Sequence, residues 1–336
     1  MKSYHVCIVG IGAVGTEMIR VLKKRRFPIA SLTILARSER TEVIDGTGYP
    51  VKAAVPEAFA GMDFAFFAGT EGSKGASQTL GWEAVKRGCV VIDNGDDFRM
   101  DPRVPLVVPE INPEALAGHS GFIANPNCST IVALMALAPL HRAARLRRFT
   151  AATYQAVSGT GAPAVRELEA QAKAWAAGQP MPKPEQYAHP IAFNVLAQIG
   201  SVKDDSGETT EESKMRRETR KILDDPAIRV CTTCVRVPVF NAHSEALFAE
   251  FEKPISVEQA RDILSRAPGV KLMDDVKHGV YPMPIEASGQ EEVRVGRIRI
   301  DPSVEHGLAL FVCGDNIWKG AALNAVQIAE RLIGTY

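Results

Sequence analysis

No stretch of the chain is apolar and uninterrupted over the roughly 20 residues that a membrane-crossing helix needs, so no spanning segment and no membrane partner are expected. Charge of one sign is not in excess either. Thirty-nine basic residues balance thirty-nine acidic ones, which leaves no global field to hold nucleic acid or an anionic surface, and any anion site has to be local. The opening MKSYHVCIVGIGAVG lacks the charged start, long apolar run and small-residue cleavage site of a secretory leader, and a cytoplasmic protein is expected. Internal repeats and low-complexity tracts are also missing. The six cysteines, at 7, 89, 128, 231, 234 and 313, are scattered among apolar segments and do not form a disulfide framework. One of them is therefore free to work as a nucleophile, and no metal set is expected.

What is present is ordinary globular composition, 46% apolar and 23% charged, in 336 residues. That length exceeds the size at which one core usually stops growing, so two domains are expected. The first third alternates short apolar runs with helix-like stretches: Tyr4 to Gly10, a helix to about Lys24, Ser31 to Ala36, Phe64 to Gly69, a helix near Ser77 to Arg87, and Cys89 to Asp93. This is the rhythm of βαβ units and a parallel sheet. Phe122 to Ala124 reads as a strand, and Ser129 to Ala138 as a buried helix closed off by Pro139. From Phe149 the strands lengthen (Phe149 to Val157, Ile228 to Phe240, Ala246 to Phe251, Glu292 to Ile300, Ala309 to Cys313), with helices at Val165 to Ala177, Thr210 to Leu223 and Val257 to Ser265. An α+β domain with a mixed or antiparallel sheet is expected there. The last helix, Trp318 to Ile333, is amphipathic enough to pack on either domain.

Gly10-Ile11-Gly12-Ala13-Val14-Gly15 follows a strand and opens a helix, where glycines permit a tight turn and let backbone N–H groups approach a pyrophosphate. A glycine turn serving only strand-to-helix packing is the bland alternative; dinucleotide binding is the reading taken. Sites for NAD usually end the second strand with Asp or Glu, but here it ends Leu35-Ala36-Arg37-Ser38 with Arg40 close behind. A cation and a hydroxyl suit a 2′-phosphate, which favours NADP over the alternative that Arg37 is a solvated surface charge.

Asn125-Pro126-Asn127-Cys128-Ser129-Thr130 places a cysteine where a loop becomes an apolar helix, and the N–H groups at that helix start favour a thiolate. Cys7, Cys89 and Cys313 read instead as small core side chains. Cys231-Thr-Thr-Cys234 has redox or zinc spacing, yet it lies within a β-like run without a second ligand pair and is read as structural. In Arg236-Val-Pro-Val-Phe-Asn-Ala-His243-Ser-Glu a strand ends at a histidine in a polar turn, a place from which imidazole can exchange protons near neutral pH. Spacing alone leaves His243 equally readable as a hydrogen-bonded structural histidine.

Taken together with PLVVPEIN at Pro105 to Asn112, YQAVSGTG at Tyr154 to Gly161, TEESK at Thr210 to Lys214, VGRIR at Val295 to Arg299 and DNIWKGAALNAVQIAE at Asp315 to Glu330, these motifs resemble the aspartate-semialdehyde dehydrogenase family along nearly the whole chain. The resemblance implies an α/β protein: a Rossmann-type NADP-binding domain, 1–127 plus 315–336, and an α+β catalytic and dimerisation domain with a mixed sheet, 128–314. It implies that Cys128 is the nucleophile, Gln155 positions a thioacyl intermediate and His243 is the general acid/base. Arg236 would pair in two-pronged fashion with the substrate α-carboxylate, and Glu211 would receive its ammonium. Arg99, Lys214 and Asn127 would hold phosphate. To the cofactor set, Gly10, Gly12, Ala13, Val14, Gly15, Arg37 and Ser38, it adds Gly69, Ser158, Gly159 and Asn316. The implied reaction is NADPH-dependent reduction of 4-aspartyl phosphate to aspartate 4-semialdehyde with release of phosphate, in lysine, threonine and methionine biosynthesis, by a homodimer or homotetramer.

The match departs from the family's pattern at the glycine loop, one residue shorter than usual in its first spacing, at Glu71, and at Asp96-Asp97 beside Arg99. Carboxylates there weaken cofactor or phosphate binding unless a cation offsets them. N-acetyl-glutamyl-phosphate reductase, a non-catalytic paralogue and a cysteine hydrolase are the alternatives. Asn127 and Ser129 speak against the first, retention of Cys128, Gln155, Arg236 and His243 against the second, and the glycine loop against the third.

Overall fold

The computed structural model describes residues 2–69 and 75–335 and divides into two compact units, Met1–Asn127 with Ala321–Tyr336, and Cys128–Gly320. Glu71 lies outside the described residues. The first unit contains β1 (Tyr4–Val9), α1 (Ala13–Lys24), β2 (Ile29–Ala36), β3 (Arg40–Ile44), β4 (Thr47–Ala53), β5 (Phe64–Phe67), a π-turn (Ser77–Gly81) running into α2 (Trp82–Lys86), β6 (Val90–Asp93) and β7 (Phe122–Ala124). The second contains α3 (Cys128–Ala144), β8 (Leu146–Gln155), α4 (Ala162–Ala176), α5 (Thr210–Ile222), β9 (Arg229–Arg236), β10 (His243–Phe251), α6 (Val257–Ser265), β11 (Val270–Leu272), α7 (Pro284–Ala287), β12 (Val293–Asp301) and β13 (Gly307–Gly314). α8 (Leu323–Ile333) returns to the first unit.

The first unit's seven strands run in the order β3-β4-β2-β1-β5-β6-β7, parallel except for the β3–β4 hairpin. Apolar runs such as Phe64–Phe67, buried at every position, belong to strands covered on both faces. α8 packs on α1 and β6, and its buried Glu330 receives both its hydrogen bonds from Arg25 Nε, at 2.8 and 2.9 Å. The segment 315–320 stays with the second unit, although the resemblance placed the return at Asp315. Asp315 explains this: its carboxylate accepts from the amides of Gly289, Ile317 and Trp318 and from Asn241 Nδ2.

The β3–β4 hairpin is absent from the sequence-based expectation. Its turn, Asp45-Gly46, has φ of 49° and 76°, the doubly left-handed backbone of a tight hairpin. The expected end of the Cys128 helix at Pro139 is also corrected, because α3 continues to Ala144. Proline deletes one helical hydrogen bond there, but α3 is buried along nearly its whole length against β8, β10, β12, β13, α5 and α6, and that packing outweighs the loss.

The second unit's six strands run β11-β12-β13-β10-β8-β9, a mixed sheet with parallel pairs at its two edges. On β10, His243, Glu245, Leu247, Ala249 and Phe251 share one buried face, toward α3. The opposite face carries Tyr154, Phe248 and Phe311, with Tyr154 and Phe248 about 40% exposed. Among the described residues no helix is long and apolar enough to cross a membrane.

At the end of β6, Asp93 is fully buried; its Oδ1 accepts from Ser77 Oγ at 2.7 Å and the Gly95 amide at 2.9 Å, and Oδ2 has no partner among the described residues. Burial pushes its pKa from the ordinary 3.8 up to about 6, against the opposing pull of these donors. Because the folded state holds this proton more tightly, the stabilisation is complete below pH 3.8 and is lost as pH rises through about 6. Asp93→Asn should flatten denaturant-derived stability across that window by about 3 kcal/mol relative to wild type; parallel pH profiles for the two proteins would refute the assignment.

Candidate active site

In the first unit the glycine loop leads from β1 into α1 at the point where the strand order reverses, with β2 on one side and β5 on the other. Gly10 has φ +98°, and a Cβ on Gly15 would lie 2.1 Å from the Gly10 carbonyl oxygen, so both glycines are demanded by the turn. Gly12 faces open space, so packing does not demand it; it leaves room for a ligand's phosphates before the N–H groups of α1. Ala13 and Val14 are the first residues of that helix, and Gly69, φ +84°, follows β5. Arg37 and Ser38 stand exposed at the end of β2, and Arg37 makes no ion pair or hydrogen bond among the described residues. Arg40 is engaged with Glu42 at 2.7 Å and the Ser38 carbonyl at 3.1 Å. These features fit a dinucleotide carrying a 2′-phosphate.

Arg99, buried, donates from Nε to the Asn125 carbonyl (2.9 Å) and from Nη2 to the Asn94 carbonyl (2.7 Å), bracing the ends of β6 and β7. Part of its guanidinium is thus committed to backbone. Asn127 is buried at the last position of this unit's first segment.

In the second unit Cys128 is the first residue of α3 and is partly exposed, so the helix's leading amides act on its sulfur. A Cβ on Gly320 would sit 2.6 Å from Cβ of Cys128, which explains glycine beside the buried Lys319. Burial pushes the four buried thiols up: Cys89 and Cys313 to about 11, Cys7 and Cys234 higher still. Cys231 is exposed and Cys234 buried, as expected for opposite faces of a strand, so the pair cannot share a bridge or a metal.

His243 is fully buried at the start of β10, and its Nδ1 accepts from the Ala156 amide at 3.0 Å. An amide can only donate, so the neutral ring carries its proton on Nε2, which has no partner among the described residues. Burial first, and the Arg236 cation second, hold its pKa well below the usual 6.5. Imidazolium would also oppose two donors at Nδ1. Arg236 donates from Nη1 to the Ala156 carbonyl at 2.7 Å, and its Nε is buried without a partner among the described residues. The Nε–Nη2 edge is therefore available for a carboxylate in two-pronged geometry.

Gln155 donates from Nε2 to Glu211 Oε1 at 3.2 Å, and Lys214 Nζ stands 3.9 Å from Glu211 Oε2 on the same face of α5. Glu211, in the first turn of α5, gains from the helix dipole; the helix is capped by Thr209 and Glu212 in reciprocal bonds. Ser158 and Asn316 are braced together: Asn316 Nδ2 donates to Ser158 Oγ (2.9 Å) and its Oδ1 accepts from the Ala242 amide (3.0 Å). Gly159 lies against the centre, where a Cβ would fall 2.9 Å from Arg236 Nη1 and 3.2 Å from His243 Nε2. Two buried residues escaped sequence reasoning, Lys319 and Glu245; a charged side chain beside a recognised motif was the one signal for each.

Gly159→Ala should disturb Arg236 and His243 together while leaving the fold intact. The expected result is a loss on the order of 100-fold in kcat/KM, the scale of a 1 Å misplacement, with an unchanged melting temperature. Wild-type kinetics in this variant would show that the crowding is immaterial.

Comparison with known proteins agrees with this geometry. Residues 5–119 match the family model described as semialdehyde dehydrogenase, NAD binding domain, and residues 137–319 the one described as semialdehyde dehydrogenase, dimerisation domain. The chain is 50% identical to aspartate-semialdehyde dehydrogenase of Aquifex aeolicus, over 98% of each chain, and 46% identical to that of Synechocystis, over 98% of this chain and 97% of the other. Among solved structures, aspartate semialdehyde dehydrogenase II of Vibrio cholerae complexed with ASA superposes with a TM-score of 0.93 at 41% identity, covering 100% of both chains. With glycine loop, helix-start cysteine, buried histidine and uncommitted arginine edge all in place, the chain belongs to the aspartate-semialdehyde dehydrogenase family.

Proposed function

We propose that the protein reduces L-4-aspartyl phosphate to L-aspartate 4-semialdehyde with NADPH, releasing phosphate through a thioester on Cys128. The observation that carries this is the pair of buried nitrogens, Arg236 Nε and His243 Nε2, left without partners among the described residues, on two side chains that both lie against Gly159. They suit one substrate carboxylate and one carbonyl oxygen. Glu211 supplies the complementary charge for an α-ammonium, which an N-acylated substrate lacks.

The Cys128 thiolate attacks the acyl carbon, the C–O bond to phosphate breaks, and phosphate leaves with its electron pair. The glycine loop, with Arg37 and Ser38 for the 2′-phosphate, would hold NADPH, which would supply the hydride that reduces the thioester. Collapse of the resulting thiohemiacetal anion breaks the C–S bond and regenerates the thiolate. In both halves an oxyanion forms, and His243 Nε2–H is the donor that stabilises it. The acid/base role implied by the resemblance would require imidazolium, which burial, Arg236 and the Ala156 amide all oppose. The proton consumed overall ends on phosphate. Gln155 orients the acyl group from its hydrogen bond to Glu211, and Lys214 contributes a cation for phosphate. Arg99 and Asn127 as phosphate ligands, and the backbone of Ser158, Gly159 and Asn316 toward the cofactor, rest on the resemblance. Covalent capture keeps the acyl group from water.

For assembly we infer a homodimer, pairing again into a tetramer or not, through the sheet face that carries Tyr154, Phe248 and Phe311 within the segment matching the dimerisation domain. The cytoplasm is the compartment that suits its reduced thiols.

Absorbance of NADPH is the readout, with aspartate semialdehyde, phosphate and NADP supplied, and NAD or N-acetylglutamate semialdehyde as controls. Wild type should reduce NADP with aspartate semialdehyde alone, and Cys128→Ala should bind NADPH without turnover. A wild type that binds NADP but stays inactive would mark a paralogue with another role.

Two variants separate the roles open to His243. Gln at 243 offers an N–H near Nε2 but cannot act as a base. His243→Gln should retain at least about tenfold more activity than His243→Ala, whose loss should approach the roughly 100- to 1,000-fold typical of a missing oxyanion donor. Equal inactivity of the two would restore the base role.

A further inference from the structure

Glu245 is fully buried on β10, on the same face as His243, and neither carboxyl oxygen has a hydrogen-bond partner among the described residues. Register sets it between Thr153 of β8 and Val312 of β13. Thr153 is already committed: its Oγ1 accepts from the Val235 amide at 3.2 Å and donates to Gln155 Oε1 at 3.2 Å, and Gln155 in turn donates to Glu211. The donors of this chain thus run toward Glu211 and pass Glu245 by.

We propose, on the functional reading above, that Glu245 is a second carboxyl of the ammonium subsite, protonated in the free enzyme and giving up its proton to solvent when the substrate α-ammonium docks at Glu211. Two carboxylates in one dry site cannot both ionise without cations to match. Glu211 has the Gln155 amide, Lys214 and a helix start; Glu245 has none of these. Burial, and secondarily the charge of Glu211, hold the Glu245 proton well above the usual carboxylate range. A docked ammonium supplies the missing cation, and the O–H bond of Glu245 then breaks heterolytically with its electrons left on oxygen. The titratable groups that interact with it are Glu211 on α5, Cys234 on β9 and Cys313 on β13, and His243 lies two residues away on the same face of β10. Cys234 and Cys313 are held protonated by burial, and His243 is held neutral.

The test is calorimetric titration of Cys128→Ala enzyme with aspartate semialdehyde in buffers of different ionisation enthalpy, with succinate semialdehyde, which lacks the amine, as control. Removing the thiol prevents covalent capture and takes Cys128 out of the titration. Close to one proton should be released with the amino aldehyde and none with the control, and Kd should fall about tenfold per pH unit below the Glu245 pKa. Adding Glu245→Gln, nearly isosteric and permanently neutral, should abolish both the release and the pH slope. Equal release with Gln at 245, or no release with Glu, overturns the proposal. Should aspartate semialdehyde fail to bind while NADPH binds, the functional reading falls and takes this inference with it.

Discussion

The hydrogen bond from the Ala156 amide to Nδ1 of His243 organises the candidate site of the second unit. It joins the end of β8 to the start of β10, and the Ala156 carbonyl holds Nη1 of Arg236, so one peptide segment orients both the imidazole and the guanidinium. Antiparallel β8–β10 pairing and parallel β8–β9 pairing make this possible, because they bring the ends of three strands together at Gln155, Arg236 and His243. Without that register the His would have no fixed tautomer and the Arg no free edge.

Those parts of the site that obey local rules were legible in the chain. A glycine loop between strand and helix, and a cysteine at a helix start, depend on backbone geometry within a few residues, and both stand where the sequence placed them. Pro139 shows where local rules stop: a proline that ends an isolated helix is tolerated in one packed on nearly every side, and burial by distant segments is not written beside it. The β3–β4 hairpin did carry a local signal in Asp45-Gly46, but Pro50 inside β4 and the exposed residues of β3 masked the strand pattern on either side. His243 was ambiguous for a similar reason. Its tautomer, on which the proposed role rests, is set by an amide 87 positions earlier in the chain, which no spacing reveals.

Neutral overall charge is compatible with an anionic substrate because the charged groups that matter are buried in small, matched sets. Arg236 lies close enough to lower the His243 pKa, and Glu211 close enough to raise that of Glu245. Burial is the larger cause in both cases, and it also lowers the local dielectric in which these charges act, unlike the surface charges screened by water and salt. The same condition protects a thioester from hydrolysis. Dryness and charge placement are thus a single property of this unit.

Arg236 Nε, His243 Nε2 and the Glu245 carboxyl are buried polar groups without partners, and each costs roughly 1–3 kcal/mol in the folded protein. A chain selected for stability alone would satisfy or remove them. Their position on the sheet face that starts at His243 gives them a common explanation under the proposed function: carboxylate, carbonyl oxygen and ammonium of one substrate would supply the missing interactions. On that reading the fold bears the destabilisation in the free state, and the interaction energy withheld there would be released when the substrate binds.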